Sequence, residues 1–322
     1  MNLKSKIGLW IMHKKFLGYA AMNLNRIFFH WDKRQQFKSF GKLNPDKKFF
    51  VLRSDGLHDG LLAMYITRLR MIEKLINSGY IPIVDFENYP TQYTMSEPIN
   101  GTRNVWEYYF EQPCEFKLSE VYNSKNVYLS GWKLSDDPTK IPDINYNDGY
   151  SYEIFKHAPI KKYILDMAGE LIKNNNINEM AGVFLRGTDY THLKPAGHAI
   201  QPAQETVADK LDEFINKFEI NKIFLATEDE KIYNYFVKRY GEKIFTTDDD
   251  RNLIKNYSGQ NFLTSEINSF NKYKFGLDYL VKMICLSKCK CLIASKAAGS
   301  FFASLYNGGK YSDKYIFDLG VY

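Results

Sequence analysis

The chain has 322 residues, of which 45% are hydrophobic and 25% are charged, values ordinary for a soluble globular protein. This length suggests two domains, and the four cysteines are too few for a disulfide framework. The formal net charge of +6 is uneven, because residues 1–50 hold 9 Lys and 2 Arg against 2 Asp. That segment carries +9 and the other 272 residues carry −3, which disfavours nucleic acid as a partner.

The first thirty residues contain two short apolar runs, 7–12 and 16–22, separated by basic residues. Neither run approaches the roughly twenty residues of a membrane span, and no small-residue cleavage site follows them. Two alternatives remain open at this point. The segment either lies as a basic amphipathic helix on an anionic membrane surface, or packs as a helix on the first domain.

From residue 49 the hydrophobic periodicity is that of an α/β protein. A strand at 49–52, a helical pattern at 61–76 and a strand at 80–86 predict one βαβ unit. Its first turn leaves backbone amides at a helix N-terminus, which suits an anion or a sugar hydroxyl. We expect the acceptor side of a site there, at Gly56, His58, Asp59 and Gly60.

Residues 87–150 are predicted to be irregular, because prolines and glycines interrupt them throughout. The aromatic block at 106–111 is more typical of a core than of a site. The composition of 134–150 is that of a linker, and we place the domain boundary there. The predicted domains are therefore 1–150 and 151–322.

The second half alternates strands and helices, which predicts a parallel, doubly wound sheet. The predicted helices are 152–174, 203–218, 229–239, 277–288 and one beginning at 299. The predicted strands are 181–186, 222–227, 243–247, 291–295 and 315–320.

The strand 181–186 ends in a polar segment that we predict to be the centre of the site. Arg186 offers a planar, permanently charged set of donors that suits a phosphate, and Gly187 allows the backbone to approach the ligand. Asp189 either orients that guanidinium or takes part in the chemistry, and His192 follows in the same loop. The alternative is an arginine paired with a surface aspartate.

Two further strands end in polar turns. Glu228 and Asp229 begin a helix, where they either contact a base or ribose or simply cap that helix. The turn with Ser295, Gly299 and Ser300 opens another helix with small residues and free amides, as a diphosphate requires. Because carboxyl ends of parallel strands meet at one edge, the three turns together predict a nucleotide-sized site.

The cysteines and acidic clusters are weaker candidates for metal sites. Cys285, Cys289 and Cys291 lie without a histidine nearby, so we interpret them as buried, reduced thiols in a cytoplasmic protein rather than zinc ligands. The aspartates at 136–137 and 248–250 are interpreted as solvated turns. No metal is therefore expected.

These motifs resemble the inverting fucosyltransferase superfamily, which includes α1,6- and α1,2-fucosyltransferases and protein O-fucosyltransferases. The family's motif of histidine, any residue, arginine, two residues and aspartate maps onto 184–189, and its Ala-Thr-acidic-Asp turn maps onto 226–229. Its helix, strand and serine-containing phosphate turn resemble 277–300, and its N-terminal glycine turn resembles 56–60. The similarity spans about 180–305 and, more loosely, 49–86.

The resemblance implies a GT-B fold of two Rossmann-like domains and a metal-independent reaction. It implies that Arg186 holds the β-phosphate and that Asp229 and the 295–300 turn flank the nucleotide. Two positions depart from the family pattern. Phe184 stands where the family has a base-contacting histidine. Lys282 aligns with an acidic base contact, and Asp278, one turn earlier, is the donor-binding candidate there.

The predicted function is transfer of a sugar, with GDP-fucose as the first choice of donor, onto a hydroxyl of a bacterial surface glycan or lipid-linked glycan precursor. Asp189, His192 or the 55–59 loop supplies the base. No cofactor beyond the nucleotide sugar is expected, and the location is cytoplasmic, with peripheral membrane contact through residues 1–30. The alternatives are a transferase of another activated sugar or group, an inactive nucleotide- or glycan-binding protein, and an RNA-binding protein using the basic N-terminus.

Overall fold

A computed structural model of the chain describes residues 35–54, 60–131, 151–187, 194, 197–247 and 271–322. The strands in these ranges form a four-stranded sheet from the first half and a five-stranded sheet from the second half. Each sheet contains parallel neighbours joined through helices, as the alternating pattern predicts.

The first sheet has the strand order β1-β4-β2-β3. Central strand β2 is parallel to β3 and to β4, whereas β1 is an antiparallel edge strand. Helix α1 connects β2 to β3, so the predicted βαβ unit is confirmed. The bounds are β1 Gln36–Lys38, β2 Phe49–Arg53, α1 Leu61–Asn77, β3 Ile81–Asp85 and β4 Val127–Leu129.

The prediction that 87–150 is irregular is wrong for the described part of that range. It contains helices α2 (Val105–Tyr109) and α3 (Leu118–Val121) as well as β4. Elements of three to five residues are too short to show a hydrophobic period, and β4 forms because β2 pairs with it. The aromatic block is buried in the core as predicted, with Trp106 only 1% exposed. The proposed linker lies outside the described residues.

The second sheet has the order β7-β6-β5-β8-β9, and all of its neighbours are parallel, which confirms the predicted doubly wound sheet. The chain adds β6 and β7 on one side of β5 and then returns to add β8 and β9 on the other. The order of strands therefore reverses between β5 and β8, and the crevice beyond such a reversal is where α/β proteins bind ligands. The strands are β5 Ala181–Phe184, β6 Ile223–Ala226, β7 Ile244–Phe245, β8 Cys291–Ser295 and β9 Lys314–Phe317.

The helices around this sheet are α4 Lys162–Asn175, α5 Gln204–Phe218, α6 Glu230–Tyr240, α7 Lys272–Leu286 and α8 Ala298–Asn307. Two of them differ from the prediction. The single helix expected at 152–174 is a 3₁₀ helix, Tyr152–His157, followed by α4, because Pro159 lacks an amide donor and disfavours helix in the residue before it. Helix α7 begins five residues early, where the Asn271 side chain accepts the Lys274 amide and caps it.

The two sheets are joined by one continuous hydrophobic core. Tyr65 of α1 stacks on Phe110 with ring centroids 3.7 Å apart, and it also lies 6.3 Å from Phe302 of α8. The Tyr109 hydroxyl donates to the carbonyl of Tyr273 at the start of α7. The helices that flank the second sheet therefore pack directly on the first half of the chain.

Cys285, Cys289 and Cys291 are free and buried, as the sequence predicts, and Cys114 is partly exposed. Burial raises the pKa of Cys285 and of Cys291 to about 12, so both are neutral thiols at physiological pH. In the described ranges, none of the helices is long and apolar enough to cross a membrane.

Candidate functional site

Arg186 and Gly187 follow the end of β5, and they lie beside Glu228, which follows the end of β6. The Arg186 Nε lies 3.2 Å from Glu228 Oε1, and the Gly187 amide donates to the same oxygen at 3.1 Å. Both charged side chains are mostly buried, with 24% of Arg186 and 18% of Glu228 exposed. This pairing agrees with the prediction that parallel strand ends bring the polar turns together.

Asp229 packs against Gly187 and begins α6. A Cβ placed on Gly187 would fall closer than 3.0 Å to the Asp229 side chain, so only glycine fits here. The Asp229 Oδ1 accepts the amides of Lys231 and Ile232 at 2.8 and 3.1 Å. Helix capping, the alternative interpretation of this aspartate, is therefore part of its role.

The turn between β8 and α8 is held by the Ser300 hydroxyl. Ser300 is fully buried, and its Oγ donates to the Ser295 carbonyl at 2.6 Å and accepts the Ala297 amide at 3.0 Å. The side chain thus fixes the backbone at the start of α8. The helix N-terminus that results lies at the carboxyl end of β8, next to β5.

Ser295 ends β8 at the point where the strand order reverses. Its side chain is 0% exposed, and within the described parts of the chain its Oγ has no hydrogen-bond partner. A buried hydroxyl without a partner is unfavourable by about 1–3 kcal/mol, so such groups call for an explanation.

Gly299 brings α8 close to β5 and α7. A Cβ on Gly299 would lie 2.6 Å from Tyr279 Oη, 2.9 Å from Met283 Sδ and 2.9 Å from Phe184 Cζ. Tyr279 is thus a site residue that the sequence did not predict. Its position next to Asp278 offers a weak signal, but the direction of its ring depends on how α7 packs on α8.

Two other candidates, Asp278 and Gly60, lie within the described residues, as does Lys282, the residue that departs from the family pattern. Asp278 forms an ion pair with Lys274 one turn earlier on α7, and Lys282 is buried with 8% exposed. Gly60 is the N-cap of α1, where a Cβ would meet nothing within 4 Å. Five predicted residues lie outside the described ranges: Gly56, His58, Asp59, Asp189 and His192.

A second cation, Lys296, lies in the turn between β8 and α8. Lys296 Nζ donates to Asp318 at 2.8 Å, and this contact lowers the pKa of the Asp318 carboxyl. The pair ties the turn after β8 to the segment after β9. Across the portion of the chain that the structure describes, three or more His, Cys, Asp or Glu side chains nowhere gather as metal ligands would.

The fold and the site together define an α/β protein with two Rossmann-like sheets. Its second sheet carries an arginine, two carboxylates and a helix N-terminus at the ends of three parallel strands. Two such units in one chain are the arrangement expected of the GT-B architecture, in agreement with the fold class that the sequence predicts.

The chain is similar to solved structures of fucosyltransferases. Selenomethionine NodZ from Bradyrhizobium is 12% identical, with a TM-score of 0.47 over 85% of this chain and 96% of that one. NodZ α-1,6-fucosyltransferase soaked with GDP-fucose is 14% identical, with a TM-score of 0.46 over 81% and 93%. POFUT1 in complex with GDP-fucose is 9% identical, with a TM-score of 0.49 over 88% and 100%.

No model of a protein family matches the sequence. A search of curated proteins likewise finds no match at a significant level.

Proposed function

We propose that the chain is a GT-B glycosyltransferase that binds a nucleotide sugar at the second sheet and a glycan acceptor at the first. The donor half is 151–322 and the acceptor half is 1–150. The acceptor side includes the turn with Gly56, His58, Asp59 and Gly60.

The observation that carries the proposal is the meeting of three polar turns where the strand order of the second sheet reverses. A mostly buried arginine and the N-terminus of α8 both lie there. Each favours an anion, and a diphosphate offers oxygens to both.

The preferred donor is GDP-fucose. This sequence keeps the fucosyltransferase motifs at Arg186, at Glu228 and Asp229, and in the turn with Ser300. Phe184, in place of the base-contacting histidine, is buried and 2% exposed, so the base is recognised differently here. The alternative donor is a different activated sugar on the same diphosphate site.

In the proposed reaction a base removes the proton of an acceptor hydroxyl, with Asp189, His192 or the 55–59 loop as candidates. The acceptor oxygen then attacks the anomeric carbon from the face opposite the nucleotide, which inverts the configuration. The bond from that carbon to the β-phosphate oxygen breaks, and the nucleoside diphosphate leaves. Arg186 and the amides at the start of α8 stabilise the charge that develops on the departing diphosphate.

The acceptor is proposed to be a bacterial surface glycan precursor, free or lipid-linked, that meets the enzyme in the cytoplasm. Residues 1–30 carry Lys4, Lys6, Lys14, Lys15 and Arg26 without an acidic residue, a composition that suits an anionic membrane surface. The enzyme would then sit peripherally where lipid-linked acceptors are found.

The first test is the change in melting temperature of the full-length protein with GDP, UDP, CDP and ADP. A ligand that binds only the folded state stabilises it by about 2.7 kcal/mol at a hundred times its Kd. We expect the largest shift with GDP. A shift selective for UDP or CDP supports a different sugar donor, whereas no shift with any nucleotide or nucleotide sugar favours an inactive binding protein.

The second test removes the arginine. Arg186→Ala is expected to lower kcat/KM for the donor by about 100- to 1,000-fold, the usual effect of losing one transition-state donor. Arg239→Ala is a matched control, because Arg239 forms its ion pairs with Asp209 and Asp212 on the exposed surface. Unchanged turnover in a folded Arg186→Ala protein contradicts the site.

The third test concerns metal independence. Activity is expected to persist in EDTA, because the arginine and the helix amides neutralise the diphosphate in the proposed mechanism. A complete loss of activity that Mg²⁺ or Mn²⁺ restores would show that a cation performs this role. The acidic clusters at 136–137 and 248–250, outside the described residues, would then be the first positions to mutate.

A further inference from the structure

The Glu228 carboxylate leaves the end of β6 and reaches the end of the neighbouring strand β5. One of its oxygens, Oε1, lies 3.2 Å from Arg186 Nε and 3.1 Å from the Gly187 amide nitrogen. Two consecutive residues after β5 therefore contact a single carboxylate oxygen, Gly187 through a hydrogen bond and Arg186 through an ion pair, and that oxygen lies 41 positions from Gly187 in the sequence.

We infer that Glu228 is a positioning residue, which fixes the guanidinium plane of Arg186 for the diphosphate. This inference rests on the proposed function. An ion pair at Nε constrains the long arginine side chain and limits the directions of its two terminal nitrogens. Those nitrogens form the parallel pair of donors that grips phosphate oxygens. Because the guanidinium is already oriented, less side-chain freedom is lost when the diphosphate binds.

The backbone that carries Glu228 is itself held in place. Thr227, which is 6% exposed, accepts the Asp229 amide at its Oγ1. Asp229 caps α6 through the amides of Lys231 and Ile232, and its side chain fills the space beside Gly187. The carboxylate of Glu228 is thus presented from a rigid strand-to-helix junction rather than from a flexible loop.

A direct contact of Glu228 with the ribose or base is the competing interpretation, and the two make different predictions. A positioning residue acts only through Arg186, so its removal has little effect once Arg186 is absent. A direct contact is lost in either background. A double-mutant cycle between the two positions separates these cases.

The experiment measures GDP affinity by calorimetry and kcat/KM for release of GDP from GDP-fucose. Glu228→Ala is expected to lower kcat/KM about 100-fold, the scale associated with a misplaced reacting group. In an Arg186→Ala background the same change is expected to cause less than about a twofold loss. Equal losses in the two backgrounds would overturn the inference.

Three further variants test the geometry. Glu228→Gln keeps an oxygen at the same place and is expected to recover most of kcat/KM, whereas Glu228→Asp retracts the carboxylate and is expected to resemble Glu228→Ala. Glu230→Ala is the matched control, because Glu230 is an exposed carboxylate two residues away in the first turn of α6. It is expected to leave kcat/KM unchanged.

The outcomes also separate the inference from the proposed function. If Arg186→Ala alone leaves GDP binding and turnover unaffected, the diphosphate site is wrong and the role of Glu228 is wrong with it. If Arg186→Ala impairs both while Glu228→Asp retains full kcat/KM, the site stands and the positioning role is excluded. Melting temperatures of all variants are measured as a check on folding. If Glu228→Ala does not fold, Glu228→Gln and Glu228→Asp test the positioning role in its place.

Discussion

Asp229 occupies the volume that any side chain at Gly187 would need. The two residues belong to turns after neighbouring strands, and a Cβ on Gly187 would overlap the Asp229 side chain at less than 3.0 Å. This contact packs the turn after β5 against the start of α6. It makes glycine a requirement of the site's geometry, independently of any ligand.

Gly187→Ala is therefore expected to force the two turns apart. Overpacking of this kind typically destabilises a protein by about 1–3 kcal/mol. Because Arg186 precedes Gly187, we also expect a lower affinity for GDP in calorimetry. Denaturant unfolding with an unchanged midpoint, together with wild-type GDP affinity, would contradict this account of the contact.

Two further glycines, Gly299 and Gly169, predict opposite effects of the same substitution. Gly299→Ala would place a methyl group 2.6 Å from Tyr279 Oη and 2.9 Å from Phe184 Cζ, so we expect lower stability and weaker GDP binding. Gly169→Ala, in the exposed part of α4, meets nothing within 4 Å and is expected to add about 0.5–1 kcal/mol. The midpoint of urea unfolding measures the stability of each variant. Midpoints that shift in the same direction in the two variants would be inconsistent with the packing described.

The raised pKa values of the cysteines predict slow labelling of the buried thiols and a loss of protein stability at alkaline pH. Burial raises the pKa of Cys114 to about 11 and of Cys285 and Cys291 to about 12. Against an ordinary value of about 8.5, a pKa near 12 reduces the thiolate fraction at pH 8 roughly a thousandfold. Iodoacetamide should thus modify Cys285 and Cys291 far more slowly in the native protein than in urea.

The same thiols set the sign of the pH dependence. Their pKa values are higher in the folded state, so their contribution to stability is complete below about pH 8.5. It is lost as the pH rises from there through the folded-state values near 11 and 12. The free energy of unfolding should therefore fall as the pH rises over that range. Rapid labelling of the native protein by iodoacetamide at pH 8 would show instead that these thiols are accessible.

Removal of residues 1–30 separates the two interpretations of the N-terminal segment. The segment carries five basic residues and no acidic ones, and each can contribute about 1 kcal/mol at an anionic surface. The truncated protein should sediment less with phosphatidylserine-containing vesicles and retain its affinity for GDP. Pure phosphatidylcholine vesicles are the control.

Loss of folding on truncation would instead support the segment packed against the first domain. Unchanged sedimentation of a folded truncated protein would rule out the segment as the main membrane contact.

The sequence by itself determined most of the second half. Alternating apolar runs predict its parallel sheet, and the abrupt change from Leu185 to Arg186 locates the candidate site. The aromatic block around Trp106 is also predicted as core, because large apolar side chains are most stable when buried. These features depend on periodicity and chemistry within a few residues of one another.

Only the tertiary structure decided which polar groups meet. The bond from the Gly187 amide to Glu228 joins residues 41 positions apart, and the approach of Tyr279 to Gly299 depends on how two helices pack. Strands β1 and β4 are three residues each and form through pairing with distant partners. Contacts of this kind depend on long-range packing, to which local periodicity is insensitive.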